Sequence, residues 1–154
     1  MGFVPCLVRS SGAAEREQVR LGHPLLDAFL EFVAGRARGN TVLATAFDLK
    51  VFFSIIETDP AQVTTADVLA FITRQRAPRR GATVVRIEDG EPGLAARTIK
   101  RRLASITGLY EYLIVRGDTG VIRNPVPRGL ALRRPGHRAV RGVPLIRTRA
   151  RCRA

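Results

Sequence analysis

The stretch from Leu94 to Asp118 constrains the fold more than any other part of the chain. Its apolar residues Ile99, Leu103, Ile106, Tyr110 and Leu113 are spaced four, three, four and three apart. That is the period of an α-helix with one apolar stripe, which other elements must cover. Arg97, Arg101, Ala104 and Gly108 fall on the opposite face, flanked by Lys100 and Ser105. The helix therefore starts with a strongly basic surface and continues with small residues that admit close approach by a second surface. Cationic side chains at a helix start oppose the macrodipole, which favours anions there. Contact with phosphate would offset that cost. A solvated charged face on an ordinary amphipathic helix has the same pattern, so both readings stand on these residues alone.

Three more helices precede this one. Pro24 is well placed at a first turn, where its missing N–H would be unpaired anyway. Leu25, Phe29, Phe32 and Val33 make an apolar stripe that ends at Gly35 and Gly39, so a helix is expected over 24–37. Asn40 or Thr41 is the expected cap of the next, over 41–57. There Val42, Ala46, Leu49, Phe53 and Ile56 keep helical spacing, and Phe47 and Phe52 widen the stripe. Thr45, Asp48 and Lys50 lie off it, and Asp59-Pro60 is the expected stop, since a residue before proline avoids the helical region. Thr64 with Asp67 reads as a capping box, and Val63 with Val68 as a hydrophobic staple. A third helix is expected over 65–77, with Val68, Leu69 and Ile72 inward. The fourth covers 95–116. Between the last two, residues 79–93 read as an insert, a short strand and turn resembling a hairpin. Glu88, Asp89 and Glu91 would keep its tip away from phosphate.

Charge bears on the partner. The chain has 154 residues and a formal net charge of +13, a balance suited to a polyanion. The charge is uneven, however. Residues 22–118 hold 13 basic and 11 acidic side chains, a net of +2, whereas residues 119–154 hold ten arginines and no acid. The overall basicity is mostly a property of the C-terminal tail. Cys6 and Cys152 sit near opposite ends, and His23 and His137 are isolated, so no metal-ligand spacing is present. The simplest expectation is a reduced, cytoplasmic protein without a small-molecule cofactor. No run of about 18 apolar residues marks a membrane span, and Met1 to Leu7 is too short for a signal-peptide core.

Against this background, the run Ala96-Arg-Thr-Ile-Lys-Arg-Arg-Leu-Ala-Ser-Ile-Thr-Gly-Leu-Tyr-Glu-Tyr-Leu113 resembles the last long helix of the core-binding domain of tyrosine recombinases, the phage-type integrases and Xer-like enzymes. In that family this helix lies in or beside the DNA major groove, and the Arg-Thr-Ile-x-Arg-Arg-Leu segment is at its DNA-facing start. The family often has Ser-Pro before the Arg-Thr, where this chain has Ala95 and Ala96, so its helix start is less strongly capped. Asn40-Thr-x-x-x-Thr-x-x-Asp-Leu49 is similar to the family's second helix, which also faces DNA. Asn124-Pro125 falls where the family's core-binding domain ends. The resemblance covers residues 22–127.

The resemblance implies an all-α fold, a compact four-helix SAM-like bundle over 22–127 with a short hairpin-like insert. Outside the matched span the residues themselves set the expectation: 1–21, without a period and with Ser10-Ser11-Gly12, read as a flexible arm, and 128–154, dense in like charge, as a disordered basic tail, where the resemblance would begin a catalytic domain. It implies double-stranded DNA as partner, with other recombinase protomers as further candidates. Arg97, Lys100, Arg101 and Arg102, together with Thr41, Thr45 and Lys50, would contact the DNA; Arg102, at the edge of the apolar stripe, reads equally as a core-flanking residue. The family's catalytic Arg, Lys, His-x-x-Arg pair and nucleophilic Tyr find no counterpart here. Tyr110 and Tyr112 match packing aromatics, and His137-Arg138-Ala-Val-Arg141 has the wrong spacing. The chain is therefore expected to be non-enzymatic, the product of a recombinase gene cut by a frameshift before the Arg-rich run 147–154. Two rival readings remain: a module that packs on an intact recombinase, and a non-specific basic nucleic-acid-binding protein.

Overall fold

The computed structural model describes residues 2–10, 18–77 and 93–128. Two short strands, β1 (Val8–Ser10) and β2 (Gln18–Arg20), precede four helices: α1 (Pro24–Ala34), α2 (Gly39–Ile56), α3 (Thr65–Arg76) and α4 (Ala96–Arg116). Each helix lies within a few residues of its expected span. The expected hairpin over 79–93 and the expected disorder of 128–154 lie outside the described residues, apart from Gly93 and Arg128.

Local chemistry explains most boundaries. Pro24 occupies the first turn of α1, and His23 caps it by accepting the Leu25 N–H on Nδ1 at 3.2 Å. With Nδ1 an acceptor, Nε2 carries the proton and faces the Asp59 carboxylate at 3.4 Å. The box at the start of α3 is complete. Thr64 N–H donates to Asp67 Oδ2 at 2.8 Å, and Asp67 N–H donates to Thr64 Oγ1 at 3.3 Å. Gly117, left-handed with φ 75°, ends α4 and donates its N–H to the Leu113 carbonyl.

Two caps differ from expectation. The N-cap of α2 is Arg38, with no side-chain bond, and Asn40 and Thr41 lie inside the first turn. The helix end is Glu57, in the left-handed region at φ 54°, three residues before Pro60. Its last carbonyls find side-chain donors nearby. Arg74 Nη1 donates to the Ile55 carbonyl at 2.7 Å and Thr58 Oγ1 to that of Ile56 at 3.2 Å. These groups satisfy acceptors that a helix end leaves open.

The core is formed by Leu26, Phe29, Leu30 and Val33 of α1, Val42, Ala46, Leu49, Phe52 and Phe53 of α2, Val68 and Phe71 of α3, and Ile106, Leu109, Tyr110 and Leu113 of α4. Phe52 meets Phe53 and Phe71 edge-on, each with ring centroids 5.0 Å apart. Several faces are rotated from expectation. In α1 the deeply buried residues are Leu26 and Leu30, while Leu25 is half-buried and Phe32 exposed; in α2 Phe47 is exposed, and in α3 Phe71 replaces the exposed Leu69. By length and composition α2 could also cross a membrane, but here its apolar side packs into the bundle.

Residues 2–10 and 18–21 differ from the expectation of a flexible arm. β1 and β2 pair antiparallel in the register Val8↔Arg20, Arg9↔Val19, Ser10↔Gln18. Cys6 N–H extends the pairing to the Leu21 carbonyl at 3.0 Å. Val19 and Leu21, two residues apart and therefore on one face of the strand, are buried against the helices. Leu21 N–H is anchored by Asp27 Oδ1 at 2.6 Å, and Phe3 packs on His23 and Phe53. The described part of this segment is held because it covers apolar surface on α1 and α2.

The α3–α4 connection closes tightly at its base. Leu94 N–H donates to the Gln75 carbonyl at 3.1 Å. Gly93 has φ +105°, and a Cβ there would collide with the Arg76 carbonyl.

Candidate nucleic-acid interface

The basic start of α4 divides in two. Arg97, Lys100 and Arg101 are exposed, and no acidic side chain occurs in the helix before Glu111. The N-cap, Ala95, has no side-chain hydrogen bond. Arg102 turns the other way. It lies three residues after Ile99 and four before Ile106, within the apolar stripe. Its side chain is 15% exposed, Nη1 donates to Gln75 Oε1, and Nε lies 3.9 Å from Asp48 Oδ1. Arg102 therefore braces α4 against α3 and α2 and leaves the set of outward-facing cations, a correction to its expected place among the DNA contacts.

Asp48 joins the second helix to this surface. Its carboxylate is buried, 2% exposed, yet it sits in the middle of α2. Burying a charge is costly without partners, and α4 supplies them. Arg101 Nη2 donates to Oδ1 at 2.8 Å and Ser105 Oγ donates to Oδ2 at 2.9 Å. Arg101 and Ser105 are one helical turn apart and present one edge of α4 to a single carboxylate. The Arg101 side chain remains 55% exposed.

The expected α2 contacts do not stay together. Thr41 and Thr45 precede Asp48 by seven and three residues, so they share its flank of the helix. Thr41 is exposed, and the half-buried Thr45 donates its hydroxyl to the Thr41 carbonyl at 2.9 Å. Lys50 is two residues beyond Asp48, about 200° around a 3.6-residue helix. It is half-buried on the far flank, away from the edge that Arg101 meets. Lys50 is thereby separated from the other expected DNA contacts. Gly108, expected to admit a second surface, already meets one: a Cβ there would lie 3.6 Å from Phe29 Cζ. Ala104 stays exposed.

A groove of about 580 Å³ runs along the next face of α4. Ile72, Ile99, Leu103 and Val126 give it an apolar floor, with Arg76 and Lys100 at its edge. Val126 is placed there by Asn124, whose Nδ2 donates to the Thr107 carbonyl at 3.3 Å and whose Oδ1 accepts the Val126 N–H at 3.0 Å. The following Pro125 is buried.

The two tyrosines of α4 have different settings. The Tyr110 hydroxyl is buried and donates to the Pro60 carbonyl at 2.9 Å. Burial first, then the charges of Asp59 and Asp67, push its ionisation far above the usual phenol value of 10.0. The Tyr112 ring packs on Phe29 and Phe32, at centroid distances of 5.6 and 5.0 Å. Among the described residues no cluster of His, Cys, Asp and Glu side chains could hold a metal ion.

Sequence reasoning placed Asp48 and Ser105 on their helices but missed that they pair, and it missed Gln75. The available signal was a carboxylate on an apolar helix, with an Arg and a Ser four residues apart on a second helix. No known family model, curated protein or solved structure matches the chain.

Proposed function

We propose that the chain is a duplex-DNA-binding module of the kind found in tyrosine recombinases, with the four helices in the SAM-like arrangement of their core-binding domain. The observation that carries the reading is the outward cluster of Arg97, Lys100 and Arg101 on the first turns of α4, with no acid beside it on that helix. The carboxylate bridge to α2 adds the flank bearing Thr41 and Thr45. Cations and hydroxyls of this kind contact phosphate and position a protein on a duplex, while sequence choice needs contacts to base edges. The chain binds DNA without cutting it; the buried, hydrogen-bonded Tyr110 hydroxyl supports this half of the reading.

The test is a salt titration of binding to a short duplex, with the full chain and with Arg97→Ala and Lys100→Ala. Each lost phosphate contact lowers the slope of log K against log salt by about 0.9. The Arg-rich tail is common to all variants and sets their shared background. Unchanged slopes in both variants would remove α4 from the interface.

The groove floored by Ile72, Ile99, Leu103 and Val126 favours a second reading, a module that packs on another protein such as a recombinase protomer. That reading predicts no preference for duplex over heparin in a competition gel shift, whereas the first predicts retention of duplex.

A further inference from the structure

We infer that Asp48 is a positioning residue for DNA binding, holding the Arg101 guanidinium in the orientation in which it meets a backbone phosphate. The inference rests on the DNA-binding reading above.

Stability alone does not account for a buried carboxylate at this position. A well-packed apolar residue between two helices often stabilises a fold as much as a buried ion pair, or more. Asp48 nevertheless lies buried against α4, with Arg101 Nη2 at 2.8 Å and Ser105 Oγ at 2.9 Å. Ser105 occupies Oδ2 and Arg101 meets Oδ1, so the carboxylate plane is set by both bonds. A guanidinium is a planar fork with five N–H donors. Binding one Nη2 hydrogen to a fixed carboxylate tethers the head group and narrows the orientations open to its other donors. Those remaining donors belong to a side chain that is 55% exposed, one turn along the helix from Arg97. Arg102, from the same run, approaches the same carboxylate from the buried side. Asp48 thus separates two neighbouring arginines into an inner brace and an outer donor.

The functional consequence has a definite sign. Asp48 is an anion close to a site read as binding an anion. By Coulomb's law alone, removing its charge should tighten binding to DNA. By positioning, removal should weaken binding, because a loose arginine must be immobilised when the complex forms. Immobilising one long side chain weakens binding by about 2- to 10-fold. The two mechanisms therefore predict opposite directions for one substitution, and a purely structural role predicts a change in melting temperature with no loss of affinity in the folded protein.

The experiment measures duplex affinity of the full chain by fluorescence anisotropy across a salt series. The proteins are wild type, Asp48→Asn, Arg101→Ala, the double variant and Arg101→Lys, each checked for folding by circular dichroism at the assay temperature. Asn keeps the shape of Asp and can still accept from Ser105. Asp48→Asn should weaken binding about 2- to 10-fold despite the added net positive charge. The double variant should bind no more weakly than Arg101→Ala alone, because Asp48 acts through Arg101. Arg101→Lys, which keeps the charge but loses the planar fork, should also bind more weakly. That variant carries the test if Asp48→Asn does not fold; wild-type affinity for it would then overturn the inference. If Arg101→Ala weakens binding while Asp48→Asn binds as well as wild type or better, the positioning role is wrong and the DNA reading stands. If Arg101→Ala leaves affinity and salt slope unchanged, there is no Arg101 contact to position. The inference then fails, and the Arg97 and Lys100 slopes decide the DNA reading separately.

Discussion

Arg101 and Arg102 are adjacent in sequence but differ in exposure and partners, so Arg102→Ala is the sharpest test of the bundle. The Arg102 side chain is 15% exposed against 55% for Arg101. Truncation removes the donor to Gln75, itself only 8% exposed, and withdraws a cation 3.9 Å from Asp48. An orphaned buried polar group costs about 1–3 kcal/mol. Breaking a buried ion pair outright costs about 3–5 kcal/mol, an upper bound here because Asp48 keeps Arg101 and Ser105. The expected loss is about 2–4 kcal/mol. For a domain of this size that corresponds to a fall in Tm of roughly 10 °C. Thermal melts followed by circular dichroism measure it, and a salt titration on duplex DNA below the transition gives the binding slope. The slope should match wild type. A Tm within about a degree of wild type, joined to a slope lower by about 0.9, would show that Arg102 is a phosphate contact and that its inward orientation is wrong.

Tyr110→Phe removes the hydroxyl bonded to Pro60 and should cost about 1 kcal/mol in urea denaturation near neutral pH. The same variant carries a pH signature. The folded-state ionisation of Tyr110 is raised above 10.0, so its contribution is complete below that pH. Above it the unfolded chain loses a proton that the folded chain keeps, and stability falls by up to about 1.4 kcal/mol per pH unit. The difference between wild type and Tyr110→Phe should therefore shrink between pH 10 and 11; a difference constant through that range would contradict the burial of the hydroxyl. Gly117→Ala places a side chain at φ 75° and should lower stability by about 1 kcal/mol, with a cooperative melt retained. Incubation with supercoiled plasmid should leave no covalent protein–DNA adduct, and a phosphotyrosine link at Tyr110 or Tyr112 would overturn the non-cleaving reading.

The helices were legible because their ends carry local signals. Pro24 and the Thr64–Asp67 box each act within one turn, and a reading by residue type finds them. Which face of a helix is buried was less legible where two apolar stripes overlap. Pro24-Leu-Leu-Asp-Ala-Phe-Leu-Glu-Phe-Val33 can bury Leu25 with Phe32 or Leu26 with Leu30, and only the neighbouring elements decide. The strands were missed for a different reason. Each has three residues, too few for a period, and each depends on a partner several residues away in sequence. At the candidate site the exposed cations Arg97, Lys100 and Arg101 were visible, but the carboxylate that sorts Arg101 from Arg102 was not. The Asp48–Arg101 contact spans 53 positions, and nothing local to Asp48 names its partner.

The bond from Leu94 to Gln75 has a consequence for how the chain tolerates change in length. The last turn of α3 and the approach to α4 meet at one point, so the bundle is closed there whatever lies between. Joining two ends already in contact carries an entropy that grows only with the logarithm of the spacer, about 0.6 kcal/mol for each doubling. The junction is therefore a port for inserted sequence. An epitope, a fluorescent reporter or a whole folded domain could enter between residues 78 and 92 while α3 and α4 keep their register, provided its own termini lie close together.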